Sequence, residues 1–337
     1  MKKRRRMNPI KMSHTSRKTD FSRLPNILES ESIIDIAFKR TKKINLARHP
    51  DKIAMYRNWD INKLKEMERT VNEICGDYVK KYPVIEKLDP FYQDLIRIIV
   101  DVNKYKIALS SLNWCKNQIM ALTTKTVRKL ESTRDLDDFK SIMNSYFGRF
   151  SSYVNGVDEH LKYLELTRKK LKDIPNIDAE MFTVVIVGYP NVGKSELIKK
   201  ISSAKPEVAP YPFTTKEILI GHANIGKVKI QIVDTPGILD RPLEEMNNME
   251  KQAILSMKHL ADIIIFVIDP SETCGYSLER QEKLLENIRK EFDVRIIEVE
   301  NKSDLLIRNN GRIKISALRG DNINLLMEEI KGVVKGE

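Results

Sequence analysis

The sequence predicts an α plus α/β chain: an N-terminal antiparallel helical bundle followed by a P-loop domain with a mostly parallel six-stranded sheet and helices on both faces. Three observations carry that reading. Residues 91–174 contain no proline, and their apolar residues recur at intervals of three and four, the period of helices that bury one face. From Phe182 onward, short apolar runs alternate with helical patterns, as strands and their crossovers do in a parallel sheet. Between the first such run and the first such helix stand Gly188-Tyr-Pro-Asn-Val-Gly-Lys-Ser195, which satisfy G-x-x-x-x-G-K-[ST].

A chain of 337 residues exceeds what one core usually holds, so two domains are expected. Cys75, Cys115 and Cys274 form no C-x-x-C pair and the five histidines are scattered, which suggests neither a disulfide framework nor a zinc site and fits the cytoplasm. No apolar run approaches the roughly 20 residues of a membrane span. The basic start Met1–Arg6 is not followed by an apolar stretch, so a secretory signal is not expected. The net charge of +12 is uneven: through residue 178 there are 37 Lys and Arg against 23 Asp and Glu, and from residue 179 there are 22 against 24. A basic first half beside a near-neutral second half points to a polyanion, either nucleic acid or an acidic membrane surface.

Residues 1–25 hold eight basic residues before the first acid, Asp20, and read as a flexible basic arm; a solvated tail without a specific partner is the bland alternative. Met7 as the start would remove the densest cluster. Residues 26–174 read as the helical bundle and as the RNA-binding candidate. A first helix runs from Glu29 to near Ile44, and Pro50 and Asp51 open a long second one. Pro83 and Pro90 bracket a connector. Two or three long helices follow, turning near Ser132 to Leu136. Ile98, Val102, Tyr105, Leu109, Leu112, Cys115, Ile119 and Leu122 form one apolar stripe. Phe139, Ile142, Tyr146, Phe150, Tyr153, Val157, Leu161 and Leu164 form the other. Such stripes mean core, so these aromatics are assigned to packing and not to base stacking. Pro175 ends the helical region.

The second domain, residues 179–337, carries the chemistry. Phe182–Val187 reads as a strand and Glu196–Ile201 as a helix, so the backbone N–H groups of Gly188, Tyr189, Pro190 (which lacks one), Asn191, Val192, Gly193, Lys194 and Ser195 surround a phosphate site at a helix start. Lys194 is placed to reach the β- and γ-phosphates of a nucleoside triphosphate, and the Ser195 hydroxyl to ligate Mg²⁺. Pro210–Thr215 reads as a loop; Thr215, with Thr214 second, is the candidate for Mg²⁺ and the γ-phosphate. Glu217–Ala223 and Val228–Val233 read as a hairpin joined at Asn224-Ile-Gly226. It delivers Asp234-Thr-Pro-Gly237, where Asp234 holds Mg²⁺ through water and the Gly237 N–H meets the γ-phosphate. After a strand at Asp262–Ile268, a helix near Ser277–Glu291 and a strand at Val294–Val299 comes Asn301-Lys-Ser-Asp304. The Asp304 carboxylate can accept from N1 and the 2-amino group of guanine, a donor pair that adenine lacks. Asn301 ties this loop to the phosphate loop and meets the base, the Lys302 stem lies along the base plane, and Ile315-Ser316-Ala317 brings the Ala317 N–H to guanine O6. Four boxes in this order imply GTP.

Over residues 181–335 the sequence resembles the Obg-like branch of the translation-factor-related GTPases, and within it the nucleolar G-protein family. Tyr211-Pro-Phe-Thr-Thr-Lys216, Asp234-Thr-Pro-Gly-Ile-Leu-Asp-Arg-Pro242 and Asp269-Pro-Ser-Glu-Thr-Cys-Gly-Tyr276 carry the resemblance, as does a helical domain in front of the G domain. The resemblance implies a GTPase that assembles the large ribosomal subunit and binds pre-ribosomal rRNA; a monomer is expected, and no DNA role is indicated. Ending at Glu337, the chain resembles the compact archaeal-type form. Glu300 stands where an apolar residue is usual. Lys194, Thr215 and Gly237 are the expected catalytic groups. Ile238 occupies the place of the water-orienting glutamine of Ras-type enzymes, so slow intrinsic turnover is expected, with stimulation by a ribosomal partner or by K⁺ held partly by Asn191. Two other readings remain open: a signalling or membrane-peripheral GTPase, and a GTP-binding structural placeholder with negligible hydrolysis.

Overall fold

The structure is a computed structural model that describes residues 20–211, 217–234, 252 and 256–336. The basic arm up to residue 19, Thr214, Thr215, Gly237 and Ile238 lie outside the described residues. Two compact units are distinguished: one holds Ser22–Val84 and Val100–Lys172, the other Ile85–Ile99 and the chain from Asp173 onward, joined by Phe21.

The helices of the first 172 residues are α1 (Ser30–Thr41), α2 (Lys52–Lys81), α3 (Pro90–Ile99), α4 (Val102–Ser132), α5 (Leu136–Asn155) and α6 (Asp158–Lys172). The starts of α2, α4 and α5 are set by aspartates. Asp51 accepts from the Ile53 N–H at 2.8 Å, Asp101 from those of Asn103 and Lys104, and Asp135 from that of Asp137, each satisfying donors that a helix start leaves open. α2 and α4 run antiparallel: the Arg57 guanidinium meets the Thr133 carbonyl at one end, and the Tyr105 hydroxyl donates to the Pro83 carbonyl at 2.7 Å at the other. Both expected apolar stripes form the core of this unit, with local substitutions. Ala108 takes the seam position expected of Leu109, and Met143 and Val154 those expected of Ile142 and Tyr153, while Ile98 falls on α3. Tyr146 stacks on Phe150 with centroids 6.0 Å apart, and its hydroxyl bonds Thr123 at 3.0 Å, so these aromatics pack inward as expected.

The boundary of the helical region differs from the expected residues 26–174. Residues 85–99 belong to the other unit. α3 buries Phe91, Tyr92, Leu95 and Ile96, and the Tyr92 hydroxyl accepts from the Ile177 N–H at 3.0 Å. Asp94 lies 3.1 Å from Nε2 of His259, in a short 3₁₀ turn at Met257–His259. An amphipathic helix states that it has a buried face, not which neighbour covers it.

The sheet of this second unit has seven described strands where six were expected. They are β1 (Phe182–Val187), β2 (Glu207–Ala209), β3 (Ile218–Ile225), β4 (Val228–Asp234), β5 (Ile263–Ile268), β6 (Arg295–Glu300) and β7 (Ile313–Lys314), in the order β2-β3-β4-β1-β5-β6-β7. β2–β3 and β3–β4 are antiparallel, and the other pairs parallel. Helices α7 (Lys194–Ile201), α8 (Leu278–Glu291) and α9 (Ile323–Lys335) surround it. β5 is wholly apolar, and β1 is apolar but for Thr183, whose hydroxyl is bonded to the Met181 carbonyl; both are almost wholly buried at the centre, as strands covered on both faces must be. The chain leaves β1 toward β4 on one side and later continues at β5 on the other. Ligands bind at such a switch point, outside the carboxyl ends of the strands, and there the expected loops converge. Among the described residues no helix is long and apolar enough to cross a membrane.

Candidate nucleotide-binding site

The phosphate loop follows β1 and can be built only with its glycines. Gly188 has φ +148°, and a Cβ there would lie 2.5 Å from the Val267 carbonyl oxygen of β5. Gly193, at φ +101°, caps α7, and a Cβ there would run into the side-chain amide of Asn301. Between them Asn191 takes φ +62°, which asparagine tolerates better than most residues; its side chain is exposed, Pro190 is half-buried and Val192 is buried. Lys194 is 5 % exposed, and its ammonium donates to the carbonyls of Gly188 (2.7 Å) and Tyr189 (2.8 Å). A positive charge is thus held against the inside of the loop. The Tyr189 ring faces Tyr276 at 4.4 Å between centroids, so this residue's side chain serves packing and leaves its backbone to the loop.

Asp234, fully buried at the end of β4 and in register with Ile186 of β1, accepts from the Ser195 hydroxyl at 2.7 Å. A hydroxyl and a carboxylate side by side are hard oxygen donors of the kind Mg²⁺ takes, with water and phosphate oxygens supplying the rest. No group of three or more His, Cys, Asp or Glu suited to a metal occurs among the described residues, so Ser195 and Asp234 are the pair that fits a phosphate-bound Mg²⁺.

The base loop is tied to the phosphate loop as expected. Asn301, 3 % exposed, donates through Nδ2 to the Val192 carbonyl at 2.8 Å and accepts at Oδ1 from the Ala317 N–H at 2.8 Å. The Ala317 N–H, expected to face guanine O6, is therefore occupied by Asn301. Asp304 is held by Ser316. The Ser316 hydroxyl, fully buried, accepts from the Arg319 N–H and hydrogen-bonds Asp304, which keeps the Asp304 carboxyl below its usual value, with the more distant Arg319 guanidinium assisting. An ionised carboxylate is the form that accepts from two guanine donors. The Ser316 side chain is fully buried.

Lys302 adopts φ +62°, a conformation costing a non-glycine residue on the order of 1–3 kcal/mol. Its ammonium is gripped by Asp269 (2.7 Å) and Thr273 (2.8 Å), which fixes the stem whose expected place is along the base. Asp269, fully buried, also accepts from Ser271, Thr273 and the Cys274 N–H. Burial alone would raise its carboxyl, but Lys302, Ser271 and the Cys274 amide outweigh that and hold it below the ordinary value. Residues 269–276 therefore reach both halves of the site, Lys302 through Asp269 and the phosphate loop through Tyr276. The motif reading gave no role to Asp269, Thr273 or Tyr276; the resemblance marked the stretch, but an ion pair across 33 residues leaves no local signature. Glu300 is 1 % exposed and accepts from Asn310 at 2.5 Å, with Arg308 at 3.4 Å. Its unusual charge is thus met from the loop before β7.

The site so assembled, a phosphate loop joined through Asn301 to the loop of Lys302 and Asp304, was compared with known proteins. A family profile described as the NOG1 N-terminal helical domain matches residues 21–178, and one described as a 50S ribosome-binding GTPase matches residues 183–302. An uncharacterised protein of Methanocaldococcus jannaschii is 36% identical over 289 residues, covering 85% of this chain and 81% of that one. Nucleolar GTP-binding protein 1 of Encephalitozoon cuniculi is 35% identical over 291 residues, covering 86% of this chain and 55% of that one; the chain thus spans about half the length of that relative. A crystal structure assigned as nucleolar GTP-binding protein 1 of Plasmodium falciparum is 28% identical, with a TM-score of 0.42, over 48% of this chain and 92% of that one. Fold and site define a GTP-binding P-loop GTPase. The chain belongs to the nucleolar GTP-binding protein family, in which the helical domain precedes the GTPase domain.

Asp269→Asn keeps the shape but leaves the Lys302 ammonium without its buried counter-charge. The expected outcome is a rise of about 10- to 100-fold in the GDP dissociation constant, which corresponds to about 1.4–2.7 kcal/mol, measured by titration of a fluorescent GDP analogue. Unchanged affinity would mean that Lys302 does not depend on Asp269.

Proposed function

We propose that this chain hydrolyses GTP to GDP and phosphate as an assembly factor of the large ribosomal subunit, docking to rRNA through its helical unit. The observation that carries the reading is the pairing, in one chain, of a guanine-reading phosphate-loop site with a first half that holds all of the positive excess. The family profile described as a 50S ribosome-binding GTPase supports the ribosomal part. In this reading the protein acts as a cytoplasmic monomer, and the nucleotide state sets how firmly the RNA is held.

The chemistry asked of the site is positioning and charge neutralisation. The loop amides and the Lys194 ammonium receive the phosphates, Asn301, Lys302 and Asp304 fix the base, and Thr215 and Gly237 respond to the γ-phosphate. Ser195 and Asp234, with Thr215, would hold Mg²⁺, which would offset phosphate charge when bound. Ile238 cannot hydrogen-bond an attacking water, so turnover by the chain alone is slow in this reading, and Asn191, exposed in the loop, would help hold K⁺. The same isoleucine favours a second reading, a placeholder that binds GTP without useful hydrolysis.

Retention on large-subunit particles at moderate salt, with a non-hydrolysable GTP analogue, GDP or no nucleotide, tests the proposal. The expected result is strongest retention with the analogue; equal, salt-sensitive retention in all three states would reduce the helical unit to a generally sticky basic surface. Multiple-turnover phosphate release separates the two readings. It is expected to be slow but sustained and faster in K⁺ than in Na⁺; equal rates would remove K⁺ from the account, and no release beyond the first turnover would leave the placeholder.

A further inference from the structure

The helical unit carries its positive charge unevenly. From Lys39 to Arg57 stand seven basic residues and one acid, Asp51, whose carboxylate is taken up in capping α2. Lys42, Lys43, Arg48 and Lys52 are exposed, and none has an ion-pair partner among the described residues. A second exposed group, Lys125, Arg128, Lys129 and Arg134, closes α4 and enters the turn to α5, again without such partners. Both groups are pinned to the first two turns of α2. Trp59 Nε1 donates to the Ile44 carbonyl at 2.9 Å and fixes the α1–α2 connection, and the Arg57 guanidinium donates to the Thr133 carbonyl at 3.4 Å and fixes the α4–α5 turn. The cation-rich α1–α2 connection and the basic last turns of α4, whose turn to α5 also carries Glu131, Asp135, Asp137 and Asp138, are therefore presented at one end of the antiparallel bundle on a common support. At the other end Lys81 pairs with Asp77, Lys162 with Asp158 and Arg168 with Glu165, while Lys80, Lys104, Lys169 and Lys172 stand exposed without an ion-pair partner among the described residues but are not gathered on a connection braced as the α1–α2 one is.

We infer that this end of the helical unit is the RNA-docking surface, taking the phosphate backbone of a folded RNA between the α1–α2 connection and the α4–α5 turn. The inference rests on the ribosomal reading for the identity of the polyanion and adds where it is held. Charge complementarity favours phosphates, because cations held on pinned loops neutralise them with little ordering left to do. It favours RNA over a lipid surface, because peripheral membrane binding draws on an exposed apolar face, and from Lys39 to Arg57 the one exposed large apolar side chain is Leu46.

The test uses the full chain and two fourfold neutralisations of equal charge. One variant carries Lys42→Gln, Lys43→Gln, Arg48→Gln and Lys52→Gln; the control carries Lys80→Gln, Lys104→Gln, Lys169→Gln and Lys172→Gln, exposed positions toward the other end of the bundle. Binding to transcribed large-subunit rRNA is measured over a range of KCl concentrations. Each lost phosphate contact lowers the salt slope by about one, so the first variant is expected to lose about three to four units of slope and at least tenfold in affinity near physiological salt, while the control keeps its slope within about one unit. Equal losses in both variants, or none in the first, would overturn the assignment of this end while leaving RNA binding itself intact. Failure of the unaltered chain to bind RNA would sink the ribosomal reading as well. Vesicles rich in phosphatidylserine form the third arm: binding to them that only the first variant loses, with RNA binding unchanged, would assign this end to a membrane and overturn the inference.

Discussion

Asn301 joins its own loop to three segments that are distant in the sequence, two through its carboxamide and one through its backbone. Its side-chain nitrogen reaches the Val192 carbonyl in the phosphate loop, its side-chain oxygen receives the Ala317 N–H after β7, and its own backbone N–H is bonded to Ile268 at the end of β5. All of this is buried, so each group that lost its partner would be left without water to replace it. The contact also explains Gly193 more sharply than turn geometry does, since a Cβ at that position would occupy the place of the amide. The glycine of the phosphate box and the asparagine of the base box are thus two halves of one fit.

Around that contact the site is a frame whose members hold one another. Asp269 grips Lys302, and Tyr276 packs on Tyr189. The groups expected to face nucleotide are fixed by neighbours that face protein. Such preorganisation lowers what a ligand must spend to order its site. At the edge of this frame β4 ends at Asp234, whose carboxylate accepts from the Ser195 hydroxyl.

Much of this was legible in the sequence, because the signals concerned are local. Phe182–Val187 is a strand over the expected residues, the hairpin turns at the expected Gly226, and Asp51 and Ser277 cap the helices they were expected to open. What escaped depends on partners distant in the chain. β2 is three residues long, too short for any periodicity, and exists because β3 offers it an edge. α3 shows its amphipathic face in sequence, but its union with the GTPase unit is decided by Ile177 and His259. The Asp269–Lys302 pair and the clamp on Glu300 likewise join loops that only the folded sheet brings together.

The most direct test of the central claim is amide hydrogen exchange in the Asn301→Ala variant, without nucleotide. If Asn301 unites the site, exchange will quicken both in the phosphate loop, at residues 189–195, and around Ala317, while the centre of the sheet keeps its protection. Faster exchange confined to residues 301–304, with the phosphate loop and Ala317 unchanged, would contradict the account and leave Asn301 as a base contact alone.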